Sequence, residues 1–306
     1  MTNLTKFPNG VSSFGMPVLP GTGGLLTTGS VFFVHSGTGL NSYGGTEPSR
    51  PLATIDYAIG LCSANKGDII FVMPGHAETV SAAAGIAADV AGISIIGMGN
   101  GTNRPTLSFS AAAATFAISA ANITVANLRV TSTIDEVVKM FHVTAAYVTL
   151  DSIEHFETAT FQTIQFLLTT AAADYLTVKN CYHYQATAAA AAQLWIQLVG
   201  TDNARIIDNT FILALQNGAT CAAINATTAV VNCEIARNVI LQTGGTSQVS
   251  AILLVAASTG FVYDNRVAAA VTTLAGAVAL ASAYGAENYA LNTANKSGIL
   301  DPVADT

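Results

Sequence analysis

Apolar and polar positions alternate along this chain in short bursts, and the bursts recur. Ile123-Thr124-Val125-Ala126-Asn127-Leu128-Arg129-Val130 sets the form: alternating apolar residues run into an Asn, after which apolar residues return. The same form appears at Val148–Ile153, Leu176–Cys181, Ile206–Phe211, Ile235–Ile240, Phe261–Asn265 and Tyr284–Asn288. A period of two predicts strands. Aligned on the Asn position, the series reads Asn127, Ser152, Asn180, Asn209, Asn238, Asn265, Asn288, with steps of 25, 28, 29, 29, 27 and 23 residues. A recurrence of this length marks a repeat architecture, in which each unit buries its face only by stacking on the next.

The expected fold is therefore all-β, a right-handed single-stranded parallel β-helix. Asn suits the bend after each strand because it tolerates the left-handed backbone region. Stacked copies at Asn127, Asn180, Asn209, Asn238, Asn265 and Asn288 are expected to form an internal hydrogen-bonded ladder, with a shorter or differently bonded turn at Ser152. A second strand precedes each Asn motif, at Thr115–Ser119, Met140–Val143, Ile164–Leu168, Leu194–Val199, Cys221–Asn225, Ala251–Val255 and Ala277–Ala281. The separation between this strand and the Asn varies, so loops of different length interrupt the coils, and such loops are where solenoids place their contacts.

The residue before each Asn position reads Ala126, Asp151, Lys179, Asp208, Arg237, Asp264, Glu287. From Asp151 to Asp264 the charges alternate in sign. Coils roughly 4.8 Å apart would set each beside an opposite charge, so Asp151, Lys179, Asp208, Arg237 and Asp264 are expected to form a structural charge ladder. The alternative is a catalytic pair of Asp151 and Asp208, about 9.6 Å apart on that spacing and at the far edge of the inverting-hydrolase range. Lys179 between them favours the ladder. Glu154, His155 and Glu157 cluster one coil from His183, and two imidazoles with a carboxylate are metal-ligating chemistry. A stacked His pair on a solenoid surface accounts for them without a metal, so no metal and no cofactor is expected.

Composition changes the picture in one respect. Charged residues make up 9% of the 306 residues and hydrophobic ones 51%. Ordinary domains carry about a quarter charged residues. Runs such as Ala111–Ala114 and Ala188–Ala192 thin the surface further, so much of the exterior is expected to lie against other chains, first of all copies of itself in a homotrimer. A net charge of −7 without a basic run argues against nucleic acid. Cys62, Cys181, Cys221 and Cys233 show no metal or redox spacing and read as buried core residues. The polar opening carries no signal peptide, and the apolar stretch 80–99 alternates like strands, so no membrane span is expected and synthesis is expected in the cytoplasm.

The chain divides into an extended arm (1–30), a cap and first coil (31–91), the β-helix (92–290) and a tail (291–306). Phe7, Pro8, Val11, Phe14, Met16 and Leu19 punctuate the Gly-, Pro- and Ser-rich arm, which cannot build its own core and is expected to dock on a neighbouring subunit. Thr54 is placed to cap a short helix with Ile55, Ala58, Ile59 and Cys62 on one face. Around it stand Pro51-Leu52-Ala53-Thr54-Ile55-Asp56-Tyr57-Ala58 and Gly67-Asp68-Ile69-Ile70-Phe71-Val72-Met73-Pro74-Gly75.

These two motifs resemble the N-terminal cap of the pectate-lyase-like superfamily, a resemblance that covers residues 31–290. It implies the β-helix but not an activity, since that superfamily contains lyases, hydrolases and non-enzymatic virion proteins. The opening Met1–Gly15 is similar to the start of tailed-bacteriophage head and capsid structural proteins. Together the two resemblances imply a non-enzymatic virion protein, a capsid decoration or head spike, anchored by its arm to the major capsid protein or to a neighbouring subunit, with the capsid exterior as location. The alternatives are a tailspike-type polysaccharide-degrading enzyme and a surface module that binds host glycans. Against an enzyme stand the absence of a nucleophile elbow, a P-loop or a dinucleotide fingerprint, and Trp195 as the sole tryptophan available to a sugar cleft.

Overall fold

The computed structural model describes residues 11–13, 16–18, 27–157, 160–191, 193–215, 221–243, 250–269 and 277–291. It is a parallel β-solenoid whose coils each contribute up to three short strands. The strands stack into three parallel sheets, here called first, second and third, of ten, nine and eight strands. The Asn motifs supply the first sheet, in register from Val31–Val34 through Ile69–Val72, Ser94–Gly97 and Thr124–Ala126 to Tyr284–Ala286. The apolar residues that return after each motif form the second sheet, as in Arg129–Ser132, Glu154–Phe156 and Tyr182–Gln185. The strand expected ahead of each motif belongs to the third sheet: Phe116–Ile118, Phe141–Val143, Leu167–Thr169, Leu194–Val199 and their successors.

The cap forms as its residues require. The helix Ile55–Leu61 begins at Thr54, whose hydroxyl accepts from the Tyr57 amide, and it buries Ile55, Ala58 and Ile59 over the first coil. Cys62 packs partly against the same core. A Glu78 oxygen accepts from the Ile55 amide and lies 3.0 Å from His76 Nε2, tying the helix start to the coil below. In the arm, Val11–Ser13 and Met16–Val18 pair antiparallel. Phe7, Pro8, Phe14 and Leu19, and the tail beyond residue 291, lie outside the described residues.

The turn from the first sheet to the second is two residues, the first of them left-handed. Asn127, Ser152, Asn180, Asp208, Arg237, Asp264 and Glu287 occupy that left-handed place, with φ between 51° and 58°. This corrects the expected single Asn column. Asn127 and Asn180 are corner residues. Asn127 donates outward to the carbonyls of Gly97 and Gly99, and Asn180 to Asp151. Asn209, Asn238, Asn265 and Asn288 come one residue later, where the side chain points inward, and are buried. Leu128, Ile153 and Cys181 fill that inward place in the earlier coils. Ser152 turns like its neighbours.

The four inward asparagines form a continuous hydrogen-bonded ladder. Each Nδ2 from Asn209 to Asn265 donates to the Oδ1 of the next Asn at 2.9–3.0 Å, and each backbone N–H donates to that same oxygen. The second Nδ2 hydrogen goes back to a strand carbonyl: Val178, Ile206, Ile235 and, for Asn288, Val262. The Cys181 amide starts the series by donating to Asn209.

Elsewhere the lumen is mainly apolar and aromatic, with one buried hydrogen-bonded group of Glu157, Thr163, Gln185 and Gln193. Phe116, Phe141 and Phe166 stack at 5.3 and 5.2 Å between centroids. His155 and His183 also point inside, which corrects the expected surface pair. His183 lies flat on Phe211 at 4.7 Å, and neither of its ring nitrogens has a partner. Burial, reinforced by His155, holds the His183 imidazole well below its ordinary 6.5. His155 Nε2 stands 3.0 Å from Glu157 Oε1, without hydrogen-bond alignment. Glu154 points out of the coil on the opposite face, so the metal-like trio does not converge. Burial also pushes the Cys62 and Cys181 thiols up to about 12 and Cys233 to about 11, which leaves all three inert at neutral pH.

Two outcomes follow. Asn238→Ala removes the acceptor of two buried donors and should cost about 3 kcal/mol in urea unfolding, whereas Asn180→Ala at the outer corner strands no buried donor and should cost only the left-handed backbone penalty, about 1–2 kcal/mol. Equal losses would contradict the two-column assignment. The unfolded His183 takes up a proton as pH falls through 6.5 and the folded one does not. Stability is therefore level above that value and falls below it by about 1 kcal/mol over the first pH unit. Unfolding measured near pH 7.5 and 5.5 should show this loss, reduced in His183→Phe.

Candidate functional site

Polar side chains with reactive chemistry gather on the outer face of the first sheet in its later coils. The register sets Arg205, Glu234, Phe261 and Tyr284 in one column, and Ile207, Ala236, Tyr263 and Ala286 in the next. The corner residues Asp208 and Arg237 border the second column. Arg205 Nε donates to Glu234 Oε2 at 2.6 Å, and the Tyr263 hydroxyl donates to Glu234 Oε1 at 2.7 Å. Arg237 holds Asp208 through two bonds, from Nε at 2.7 Å and Nη2 at 2.9 Å, and its Nη1 donates to the Tyr263 oxygen at 3.3 Å. One phenol thus joins two ion pairs. Ala236 and Ala286 flank Tyr263 along the axis, so no large side chain stands over its ring from either neighbouring coil.

The electrostatics of this network are one-sided. Hydrogen bonding from Arg237, together with its charge and that of Arg205, outweighs partial burial and holds the Asp208 carboxyl below its ordinary value. Burial works against Glu234, but the Tyr263 and Arg205 hydrogen bonds overcome it and hold that carboxyl low as well. The bonds from Arg237 to Asp208 and Tyr263 raise the Arg237 guanidinium further. Both carboxylates are therefore ionised at neutral pH, and neither supplies the protonated acid that glycoside hydrolysis demands.

Beside the network lies an aromatic platform. Phe261 and Tyr284 stack with centroids 5.7 Å apart and are 60% and 72% exposed. At the corner between the third and first sheets, Tyr147 and Tyr175 stack at 4.6 Å and 6°. Trp195, the aromatic the sequence offered to a sugar cleft, is wholly inside the coil. The exposed Phe and Tyr pairs escaped notice because each pair is two residues a full coil apart. Their signal is the recurrence of an aromatic at one repeat position.

The expected charge ladder resolves into separate pairs. Lys179 Nζ lies 3.3 Å from Asp151, and Arg237 lies 2.7 Å from Asp208. Lys179 stands beside Ile207 in the strand column, whereas Asp208 has moved to the corner. No ion pair links Lys179 to Asp208 or Arg237 to Asp264 among the described residues. The alternative weighed against that ladder, an Asp151–Asp208 catalytic pair, is likewise split between two columns.

No protein-family model matches the sequence, and no curated protein matches it. Among solved structures the chain is similar to a rhamnogalacturonan lyase, with a TM-score of 0.48, 12% identity, and 89% of this chain and 90% of the other covered. It is also similar to a GH136 lacto-N-biosidase from Eubacterium ramulus, with a TM-score of 0.41, 11% identity, and coverage of 86% and 68%. At these identities the likeness is one of fold. Both neighbours are carbohydrate-active enzymes, whereas the sequence led to the expectation of a non-enzymatic chain, and neither lends support to a bacteriophage or capsid origin.

Proposed function

We propose that this protein acts on a polysaccharide laid along the outer face of the first sheet and cleaves it by elimination. The observation that carries this reading is the single hydrogen-bonded network of Asp208, Arg237, Tyr263, Glu234 and Arg205, set against the exposed Phe261–Tyr284 pair. Aromatic faces stack on the apolar faces of sugar rings while a polar cluster fixes their hydroxyls, the usual division of labour in a ligand site. The platform and the network share strands, so a chain stacked on Phe261 passes Tyr263.

Elimination fits the protonation states. In an acidic sugar, a base removes the proton on the carbon next to the carboxylate, the bond to the leaving glycosidic oxygen breaks, and that oxygen takes up a proton. The new double bond stays in the sugar. Charge builds on the substrate carboxylate during this step, and guanidinium groups oppose it. Tyr263, held between the Glu234 carboxylate and the Arg237 guanidinium, is the group positioned to move the proton. Hydrolysis would need Asp208 or Glu234 protonated, and both are held in the ionised form.

The test is a set of acidic and neutral polysaccharides incubated with the pure protein, reading ultraviolet absorbance for unsaturated ends and a reducing-sugar assay for total ends. Unsaturated ends should appear with an acidic polymer, and Tyr263→Phe should slow their release by about 100-fold or more with unfolding stability little changed. Reducing ends without unsaturation would replace elimination with hydrolysis. No chain cleavage with any polymer, or full activity in Tyr263→Phe, would sink the proposal.

A further inference from the structure

The outer face of the second sheet carries charge of the opposite sign to the protein as a whole. The chain has a net charge of −7. Yet the charged residues at outward strand positions of this sheet are Arg129, Glu154 and Arg266. Arg104, on the turn leading into the strand Thr106–Phe109, joins them. Arg129 Nη2 donates to both Glu154 oxygens at 3.1 Å, and Arg104 Nη1 lies 3.1 Å from Glu154 Oε2. Two guanidiniums therefore share one carboxylate, and one positive charge is left over. Both Nε–H groups are shielded from water and find no acceptor. The cluster has more donors than its single carboxylate can satisfy, while the side chains of Arg104 and Arg129 remain 21% and 27% exposed.

An aromatic shelf adjoins it. Tyr182 follows Glu154 in the same column, one coil on, and Tyr184 follows Phe156 in the next. Phe156 and Tyr184 stack at 5.1 Å and 17°, and Phe156 and Tyr182 are exposed. The next outward residues in the Phe156 column, Ile212 and Leu241, are apolar and bound the polar platform.

We propose that this face is a second binding site, separate from the first-sheet network, for an acidic oligosaccharide. Arg104 and Arg129 take an anionic group of one sugar, a carboxylate or a sulfate ester. Phe156, Tyr184 and Tyr182 stack on the following rings. A guanidinium pair already turned toward a carboxylate oxygen has the fork geometry that a second planar anion requires. A locally positive face on an acidic protein selects anionic chains over neutral ones of the same shape. Its one carboxylate, Glu154, is taken up by two guanidiniums, and the role proposed for the site is retention of the polymer.

The probes are alginate oligosaccharide for carboxylates, dextran sulfate for sulfate esters, and plain dextran as the uncharged control, each tested by titration calorimetry against the full chain. At least one anionic probe should bind, dextran should bind at least about tenfold more weakly, and affinity should fall with added salt. Arg129→Gln and, independently, Phe156→Ala should each weaken binding by about tenfold, with unfolding midpoints measured alongside. Arg104→Gln, on a turn outside the sheets, provides a variant that leaves every strand intact. Binding lost in Tyr263→Phe but kept in the Arg104 and Arg129 variants would place the polymer on the first sheet alone and overturn this site. Equal affinity for dextran, or no binding of either anionic probe, would also overturn it. Cleavage at the first sheet is read separately, so the two readings can fail independently.

Discussion

One residue per coil, turned left-handed between the first and second sheets, determines the rest of this solenoid. Two residues join the strands, and the left-handed one lets them change direction without slack. The side chain at the corner must leave the coil, and the next one must enter it. The stacked backbone bonds, such as Ser152 N–H to the Lys179 carbonyl and Asn127 N–H to the Asp151 carbonyl, hold the corner whatever side chain it bears. This explains why an arginine, a glutamate and two aspartates tolerate a conformation usually left to Gly and Asn. It also explains why charge appears there at all. At the corner an outward side chain lies clear of both neighbouring strands.

The proposed active site depends on the same constraint. Asp208 and Arg237 are corner residues, Glu234 and Arg205 are strand residues, and Tyr263 reaches across from the adjoining column. Had Asp208 been placed in the strand column, beside Lys179, Arg237 would have lost its bidentate partner and Tyr263 its second contact. The exposed pairs in this network contribute about 0–1 kcal/mol each to stability. Their larger effect is on protonation, since they keep two carboxylates ionised and one phenol between opposite charges.

Much of this was legible in the sequence. The period, the parallel stacking, the capping helix at Thr54 and most third-sheet strands follow from alternation and turn chemistry. The split of the Asn series did not, although its trace is visible. Asn127, Ser152 and Asn180 are followed by Leu128, Ile153 and Cys181, whereas Asn209, Asn265 and Asn288 are followed by Thr210, Arg266 and Tyr289. The 29-residue step from Asn180 to Asn209 crosses from one column to the other; between corner residues Asn180 and Asp208 it is shorter by one. A slip of one residue reverses which side faces inward, and that slip carried Asp208 and Arg237 from an imagined ladder to the corner. The buried His155 and His183 were misplaced for a different reason. Polar residues inside an apolar lumen run against the general pattern, and only ring stacking on Phe211, Phe166 and Trp195 accommodates them.

The asparagine ladder has a direction. From Asn209 to Asn265 every amide donates toward the C-terminal end of the solenoid and accepts from the preceding coil, so their dipoles add along the axis and polarise one another. At one end Cys181 supplies only a backbone N–H. At the other, Asn288 accepts from Asn265 and donates to the Val262 carbonyl. Such a tape can be lengthened only in kind. A duplicated coil inserted between Asn209 and Asn288 would continue the pattern. The same coil placed before Cys181 would set an amide against Leu128 or Ile153, with nothing to receive its hydrogens. The growth of this solenoid by repeat duplication is thus confined by hydrogen bonding to its C-terminal half.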